Sequence, residues 1–127
     1  MLKHAALTTL LVSLAFSVNA KPSAYEQALT CKEDCPYTYE LITTPKIKKT
    51  ITKAFDNSGA SIPEWLFSAN SVTTPVDSFY QQEVQYINIS TCKPRACDSD
   101  SLVGYYRPAT DSFFGVYTKD YEQTSIE

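Results

Sequence analysis

The four cysteines of this chain constrain its fold more than any other feature. They form two close pairs, Cys31 with Cys35 and Cys92 with Cys97, at spacings of C-x3-C and C-x4-C. In an exported protein an even number of cysteines predicts disulfides, and the close spacing favours the two local pairs over the other pairings. A four-thiolate zinc site, whose ligand spacings overlap these, is the alternative. A thioredoxin-like redox site is not expected because the motif C-x-x-C is absent.

Residues 1–20 have the pattern of a secretory signal peptide. Lys3 supplies a positive start, Ala5–Phe16 is an apolar run, and Val18-Asn19-Ala20 offers small residues before a cleavage site at Lys21. The apolar run is short for a membrane-spanning helix, which leaves a retained anchor as the weaker alternative. The expected mature chain is residues 21–127, located in the periplasm.

Composition and charge exclude several classes of function. The chain carries 11 Lys and Arg against 14 Asp and Glu, a net charge of −3. This acidic balance argues against nucleic acid and anionic membranes as partners and is compatible with a basic protein partner. The single histidine, His4, lies in the expected signal peptide. The mature chain therefore lacks the residues for Ser-His-Asp or Cys-His catalysis and for His-ligated metal sites, and no cofactor or metal is expected.

The order of the elements predicts an α+β fold. Residues 21–45 are expected to form an N-terminal leader with the first cysteine pair, partly disordered over residues 21–30 and irregular over residues 31–39. Residues 46–127 form the predicted α+β domain. Apolar residues at three- and four-residue steps predict one main helix over Lys46–Asp56. The lysines of this helix are interpreted as a solvated face rather than a nucleic-acid site.

Strand-like segments follow the helix. Stretches rich in Val, Ile, Tyr, Phe and Thr predict strands, and the short separators favour antiparallel pairing. The predicted strands are Val72–Phe79, Val84–Thr91, Ser101–Tyr106 and Phe113–Thr118. Pro75 puts the first of them at an edge or an irregular position. Trp65, the only tryptophan, is interpreted as a core residue. We expect an antiparallel sheet of about four strands packed against one main helix and stapled by disulfides.

The segment Cys92-Lys93-Pro94-Arg95-Ala96-Cys97 lies between two predicted strands. A disulfide across it would close a ring of six residues, in which Pro94 fixes one φ angle. The ring would hold Lys93 and Arg95 outward on a stiff stalk. Such a stalk suits a cleft lined with carboxylates, because a guanidinium makes bidentate, charge-assisted hydrogen bonds to them. The alternative is an ordinary stapled hairpin tip whose two cations are only solvated.

Several motifs follow one another in order between residues 49 and 119. They are Ala54-Phe55 at the helix end, Ile62-Pro63-Glu64-Trp65, Thr74-Pro75, Tyr86 leading into Cys92-Lys93-Pro94, Cys97, Leu102–Tyr106 and Phe114-Gly115-Val116-Tyr117. This series resembles the inhibitor of vertebrate lysozyme (Ivy) family. The combination of Pro-x-Trp with Cys-Lys-Pro-x-x-Cys carries most of the resemblance.

The resemblance implies a function and a site. Members of that family are periplasmic inhibitors of c-type lysozymes, and their Cys-Lys-Pro-His-Asp-Cys loop enters the active-site cleft and meets the catalytic carboxylates. The resemblance implies that Cys92 to Cys97 is the inhibitory loop of this chain. The chain departs from the family in having Arg95 for the loop histidine, Ala96 for the aspartate and the extra pair Cys31 and Cys35. The family's C-terminal strand and helical region is expected to be missing after Tyr121.

Three classes of function stay open on the sequence. The first is an inhibitor of a muramidase, which could be a host c-type lysozyme, a lytic transglycosylase or a delivered toxin; in the last case the chain would be an immunity protein. The second is a binding protein that kept the fold and lost inhibition, and a homodimer is also left open. The third is an enzyme using Asp98, Asp100 or Asp111 as an acid/base pair. Because aspartates are favoured in turns for local hydrogen bonds, we predict that the chain is not an enzyme.

Overall fold

The longest helix, α3, spans Pro45–Asn57 in the computed structural model, which describes residues 22–127. Pro45 lies in its first turn, where the missing N–H leaves no helical bond unmade. The helix ends just before Gly59, whose φ of +72° suits a residue without a side chain. Its buried residues are Ile47, Ile51, Ala54 and Phe55. The helix predicted over Lys46–Asp56 is confirmed.

Two shorter helices precede α3. They are α1 over Ala24–Thr30 and α2 over Thr38–Ile42. Ser23 caps α1 by accepting a 3.2 Å hydrogen bond from the backbone N–H of Glu26. Ala28 is fully buried in the core, so the disorder expected for residues 21–30 is wrong from residue 24 onward. Likewise, the stretch expected to be irregular over residues 31–39 already contains the start of α2.

An antiparallel sheet follows the helices. Within residues 22–127 it has six strands in the order β1-β3-β4-β5-β6, and β2 pairs with the same edge of β3 as β1. The strands are β1 Val72–Thr73, β2 Asp77–Gln81, β3 Val84–Cys92, β4 Ser101–Arg107, β5 Ser112–Lys119 and β6 Glu122–Ile126. Cys92 of β3 is opposite Ser101 of β4, which is opposite Thr118 of β5. This register places the end of β3, the start of β4 and the end of β5 at one end of the sheet, here called the loop end.

The core lies between one face of the sheet and the helices. Phe55 of α3 contacts Tyr117 of β5, with ring centroids 5.3 Å apart. Other residues of this buried inner face are Ile87, Ile89, Leu102, Tyr106 and Phe113. The outer face is partly exposed, and its aromatic cluster consists of Phe79, Tyr86, Tyr105 and Phe114. None of the helices in the described range is long and apolar enough to cross a membrane.

The predicted α+β class with an antiparallel sheet is confirmed, whereas the element count is corrected. The described range has three helices rather than one main helix and six strands rather than about four. Pro75 divides the predicted strand Val72–Phe79 into β1 and β2, because proline has no N–H for the ladder. A further strand that the sequence did not predict, β6, follows Tyr121 and pairs with β5. The predicted signal peptide lies outside the described residues.

Candidate functional site

Both cysteine pairs form disulfides, as the short spacings predicted. Cys31 is bonded to Cys35 at the end of α1, and Cys92 is bonded to Cys97 at the loop end of the sheet. No cysteine of the described range is left as a free thiol. A four-thiolate zinc site, the alternative from the sequence, is therefore not formed by these residues.

The Cys92–Cys97 loop is built on a tight β-turn. The backbone N–H of Ala96 donates a 3.0 Å hydrogen bond to the carbonyl oxygen of Lys93. Pro94 and Arg95 are the two central residues, and Arg95 has a φ of +65°. Proline followed by a residue of positive φ is the arrangement of a type II turn, in which glycine or asparagine normally occupies the second place. The side chains of Lys93 and Arg95 are exposed at the tip.

A second set of hydrogen bonds fixes the base of the loop. The N–H of Lys93 donates to the carbonyl of Asp100 at 3.0 Å, and the N–H of Asp100 donates to the carbonyl of Ala96 at 2.8 Å. Asp100 is 8% exposed, and its carboxylate accepts a 2.7 Å hydrogen bond from the Ser99 hydroxyl. The disulfide, the turn and these bonds together fix the backbone that carries the two exposed cationic side chains.

A groove runs beside the loop. Its volume is about 550 Å³, and its walls include Lys93 and Pro94 on one side and Pro63, Glu64 and Trp65 on the other. Trp65 packs partly against the core, while its neighbour Leu66 is the fully buried residue of that segment. The interpretation of Trp65 as a core residue is therefore only partly right. No feature of the sequence indicated that this segment borders the loop.

The turn between β5 and β6 also lies beside the loop. Its two residues are Asp120 and Tyr121, and the N–H of Tyr121 donates a 3.1 Å hydrogen bond to the carbonyl of Ser99. The Tyr121 hydroxyl donates to the Asp98 carboxylate at 3.3 Å. The pKa of Tyr121 is raised above its ordinary value, mainly by the negative charge of Asp98 and to a smaller extent by this hydrogen bond. No feature of the sequence singled out Tyr121 as part of the site.

The three aspartates considered as catalytic groups do not come together. Asp98 and Asp100 lie at the loop end, whereas Asp111 lies in the turn between β4 and β5, at the opposite end of β4. The length of β4 separates the two positions by roughly 20 Å at the usual rise per strand residue. Asp111 also accepts hydrogen bonds from Tyr106 and Thr50, which gives it a structural role.

Comparison with known proteins gives a similarity over most of the chain. No protein-family model matches the chain. Over 105 residues it is 25% identical to a protein of Pseudomonas aeruginosa called inhibitor of vertebrate lysozyme. The aligned part covers 83% of this chain and 68% of that protein. That relative is named an inhibitor and not an enzyme, which agrees with the prediction that this chain is not an enzyme. At low identity, most of the chain is thus similar to a lysozyme inhibitor.

Proposed function

We propose that this protein inhibits a peptidoglycan-cleaving muramidase of the c-type lysozyme class, and that the Cys92–Cys97 loop blocks the active site of that enzyme. The observation that carries the proposal is the exposed pair Lys93 and Arg95 on a disulfide-closed turn. The similarity to a lysozyme inhibitor supports it. Family membership is part of the same proposal.

The loop chemistry suits the catalytic apparatus of such an enzyme. Lysozymes of this class use two carboxyl groups, one protonated as general acid and one ionised. A guanidinium inserted between them would pair with the ionised carboxylate. It would also lower the pKa of the general acid, because a nearby positive charge favours the carboxylate form. The general acid would then lose its proton to solvent and could no longer protonate the glycosidic oxygen, while the loop would keep the glycan out of the cleft.

The conformation of Arg95 supports a role for its side chain. A non-glycine residue in the left-handed region costs about 1–2 kcal/mol, and glycine would relieve that cost. Residues held in such conformations are often functional. Arginine only donates hydrogen bonds, and it is longer than the histidine of the resembled family. A carboxylate-lined cleft needs only donors, so this departure is compatible with inhibition.

The net charge of the chain and its proposed location are both compatible with a basic muramidase as the target. The chain is acidic, with a net charge of −3, and an opposite net charge on the enzyme would speed encounter. We propose a periplasmic location on the basis of the predicted signal peptide in residues 1–20 and of two disulfides, which persist in an oxidising compartment. A homodimer stays a prediction that sedimentation would test.

The first experiment is a cell-wall lysis assay with a c-type lysozyme. The protein starting at Lys21 is compared with Arg95→Ala and with a Cys92/Cys97 double serine variant. A Cys31/Cys35 double serine variant is the matched control, because it removes the disulfide that is remote from the loop. We expect the parent and the control to block lysis and the two loop variants to fail. Undiminished lysis with the parent at large molar excess would refute inhibition of this enzyme class.

A different muramidase is the second candidate target. Arg95 and Ala96 replace the histidine and aspartate of the resembled family, and a guanidinium would fit any cleft that works through a carboxyl group. We therefore propose a lytic transglycosylase or a delivered cell-wall-degrading toxin as the alternative; for the toxin the chain would be an immunity protein. The same four proteins tested against a lytic transglycosylase distinguish these targets.

A further inference from the structure

The β5–β6 turn presents an aromatic ring that lies outside the hydrophobic core. Tyr121 is 71% exposed, and it takes no part in the hydrophobic core. Its φ is +70°, and that of Asp120 is +51°. A two-residue hairpin turn with both φ angles positive prefers asparagine and glycine. A large side chain is therefore held at a position where a small residue would be more relaxed.

The position of Tyr121 relates it to the Cys92–Cys97 loop. Its backbone N–H donates to the carbonyl of Ser99, and its hydroxyl donates to the carboxylate of Asp98. The backbone bond needs no particular side chain, so it does not explain the tyrosine. The bond to Asp98 fixes the ring beside the residues that close the loop. A tyrosine hydroxyl has an ordinary pKa of about 10, so that of Tyr121 is protonated at neutral pH and acts as a hydrogen-bond donor to Asp98.

We propose that Tyr121 is a second contact with the target muramidase, made at the rim of the cleft that the loop enters. This inference rests on the proposed function. Tyrosine is enriched among the residues that dominate protein interfaces, because it buries a large, rigid surface. The ring face of Tyr121 and the carboxylate of Asp98 together fit a lysine or arginine side chain of the enzyme, through a cation–π contact and an ion pair.

The test compares two exposed tyrosines. Tyr121→Gly removes the ring and relaxes the turn, so the fold is retained. Tyr80→Ala removes a ring that is 69% exposed on β2. Tyr80 is opposite Gln85, which places it roughly 23 Å along the sheet from the loop end. Inhibition constants are measured against a c-type lysozyme in the lysis assay, and thermal melts monitor folding.

We expect Tyr121→Gly to raise the inhibition constant about tenfold and Tyr80→Ala to change it less than about twofold. If the parent inhibits and Tyr121→Gly inhibits equally well, the second contact is overturned while the loop proposal stands. If the parent does not inhibit, titration calorimetry measures whether it binds the enzyme at all. Binding that depends on Tyr121 without inhibition would support the contact and overturn the plug. The absence of both inhibition and binding would overturn both.

Discussion

The hydroxyl of Tyr106 donates a 2.5 Å hydrogen bond to the carboxylate of Asp111. The same carboxylate oxygen accepts a 2.9 Å hydrogen bond from Thr50 of α3. One side chain in the β4–β5 turn thereby links the buried face of the sheet to the main helix. The hydrogen bond from Tyr106 is the largest effect that holds the pKa of Asp111 below its ordinary value. The hydrogen bond from Thr50 and the positive charges of Lys46 and Lys49 lower it further.

The lowered pKa of Asp111 predicts an acid-dependent loss of stability. A carboxyl group with a depressed pKa in the folded state stabilises the protein above its unfolded pKa of about 4. That contribution disappears as the pH falls through the folded pKa. Asp111→Asn keeps an acceptor and the turn conformation but removes the charge. We expect this variant to lose about 1 kcal/mol at pH 7, a value kept small because the group is largely exposed.

Urea unfolding of the parent and of Asp111→Asn between pH 2 and pH 7 measures this effect. The difference between their unfolding free energies is expected to be constant above about pH 5 and to vanish toward pH 2. Asp77→Asn is a control, because that residue is exposed on the edge strand β2. A difference for Asp111→Asn that does not change with pH would contradict the assigned role.

The close approach of β4 and β5 predicts that Gly104 cannot be replaced. Gly104 is opposite Gly115, and a Cβ at Gly104 would lie 2.6 Å from the carbonyl oxygen of Phe114 and 2.8 Å from the ring of Phe113. The backbone oxygen cannot move without disturbing the sheet. We expect Gly104→Ala to lower the free energy of unfolding by about 2–3 kcal/mol.

Denaturant melts of Gly104→Ala and Val103→Ala check this prediction. Val103 is the neighbouring residue, and its side chain is on the exposed outer face. The Val103 variant is expected to differ from the parent by less than about 1 kcal/mol. Equal stability of the Gly104 variant and the parent would show that the two strands have room for a methyl group.

The two disulfides are predicted to contribute similarly to stability and differently to inhibition. Each closes a short loop, for which the loop-entropy relation gives about 2 kcal/mol. We expect the Cys31/Cys35 and Cys92/Cys97 double serine variants to lose comparable stability in thermal melts. Inhibition should be lost only in the second. Parallel loss of inhibition in both variants would mean that stability, and not loop rigidity, determines activity.

The sequence predicted the elements that carry their own periodic signal. Helix α3 and strands β3 to β5 have buried apolar residues at regular steps, such as Ile47 and Ile51 or Ile87 and Ile89. Strand β6 has only Ile126 buried, so no alternation marks it, and pairing with β5 determines its conformation. Helices α1 and α2 are too short to show a period.

The surroundings of the loop could not be predicted for a related reason. The sequence predicted a disulfide-closed loop at residues 92–97 because two cysteines and a proline lie close together there. Trp65 and Tyr121 are far from the loop along the chain, and only the register of the sheet and the end of α3 bring them to it. Contacts of this kind depend on tertiary structure, and a single sequence contains no local pattern for them.

The backbone of Arg95 predicts that stability and inhibition can be separated at one residue. Glycine adopts a φ of +65° without strain, and this gain exceeds the added chain entropy of unfolded glycine. We expect Arg95→Gly to raise the free energy of unfolding by about 0.5–1 kcal/mol and to weaken inhibition at least about tenfold. Arg95→Lys keeps the charge and loses the bidentate geometry, so intermediate inhibition is expected.

Denaturant melts and the lysis assay measure stability and inhibition on the same preparations of the Arg95 variants. If Arg95→Gly is more stable and still inhibits fully, the loop acts through its shape and the arginine is not the group that engages the carboxylates.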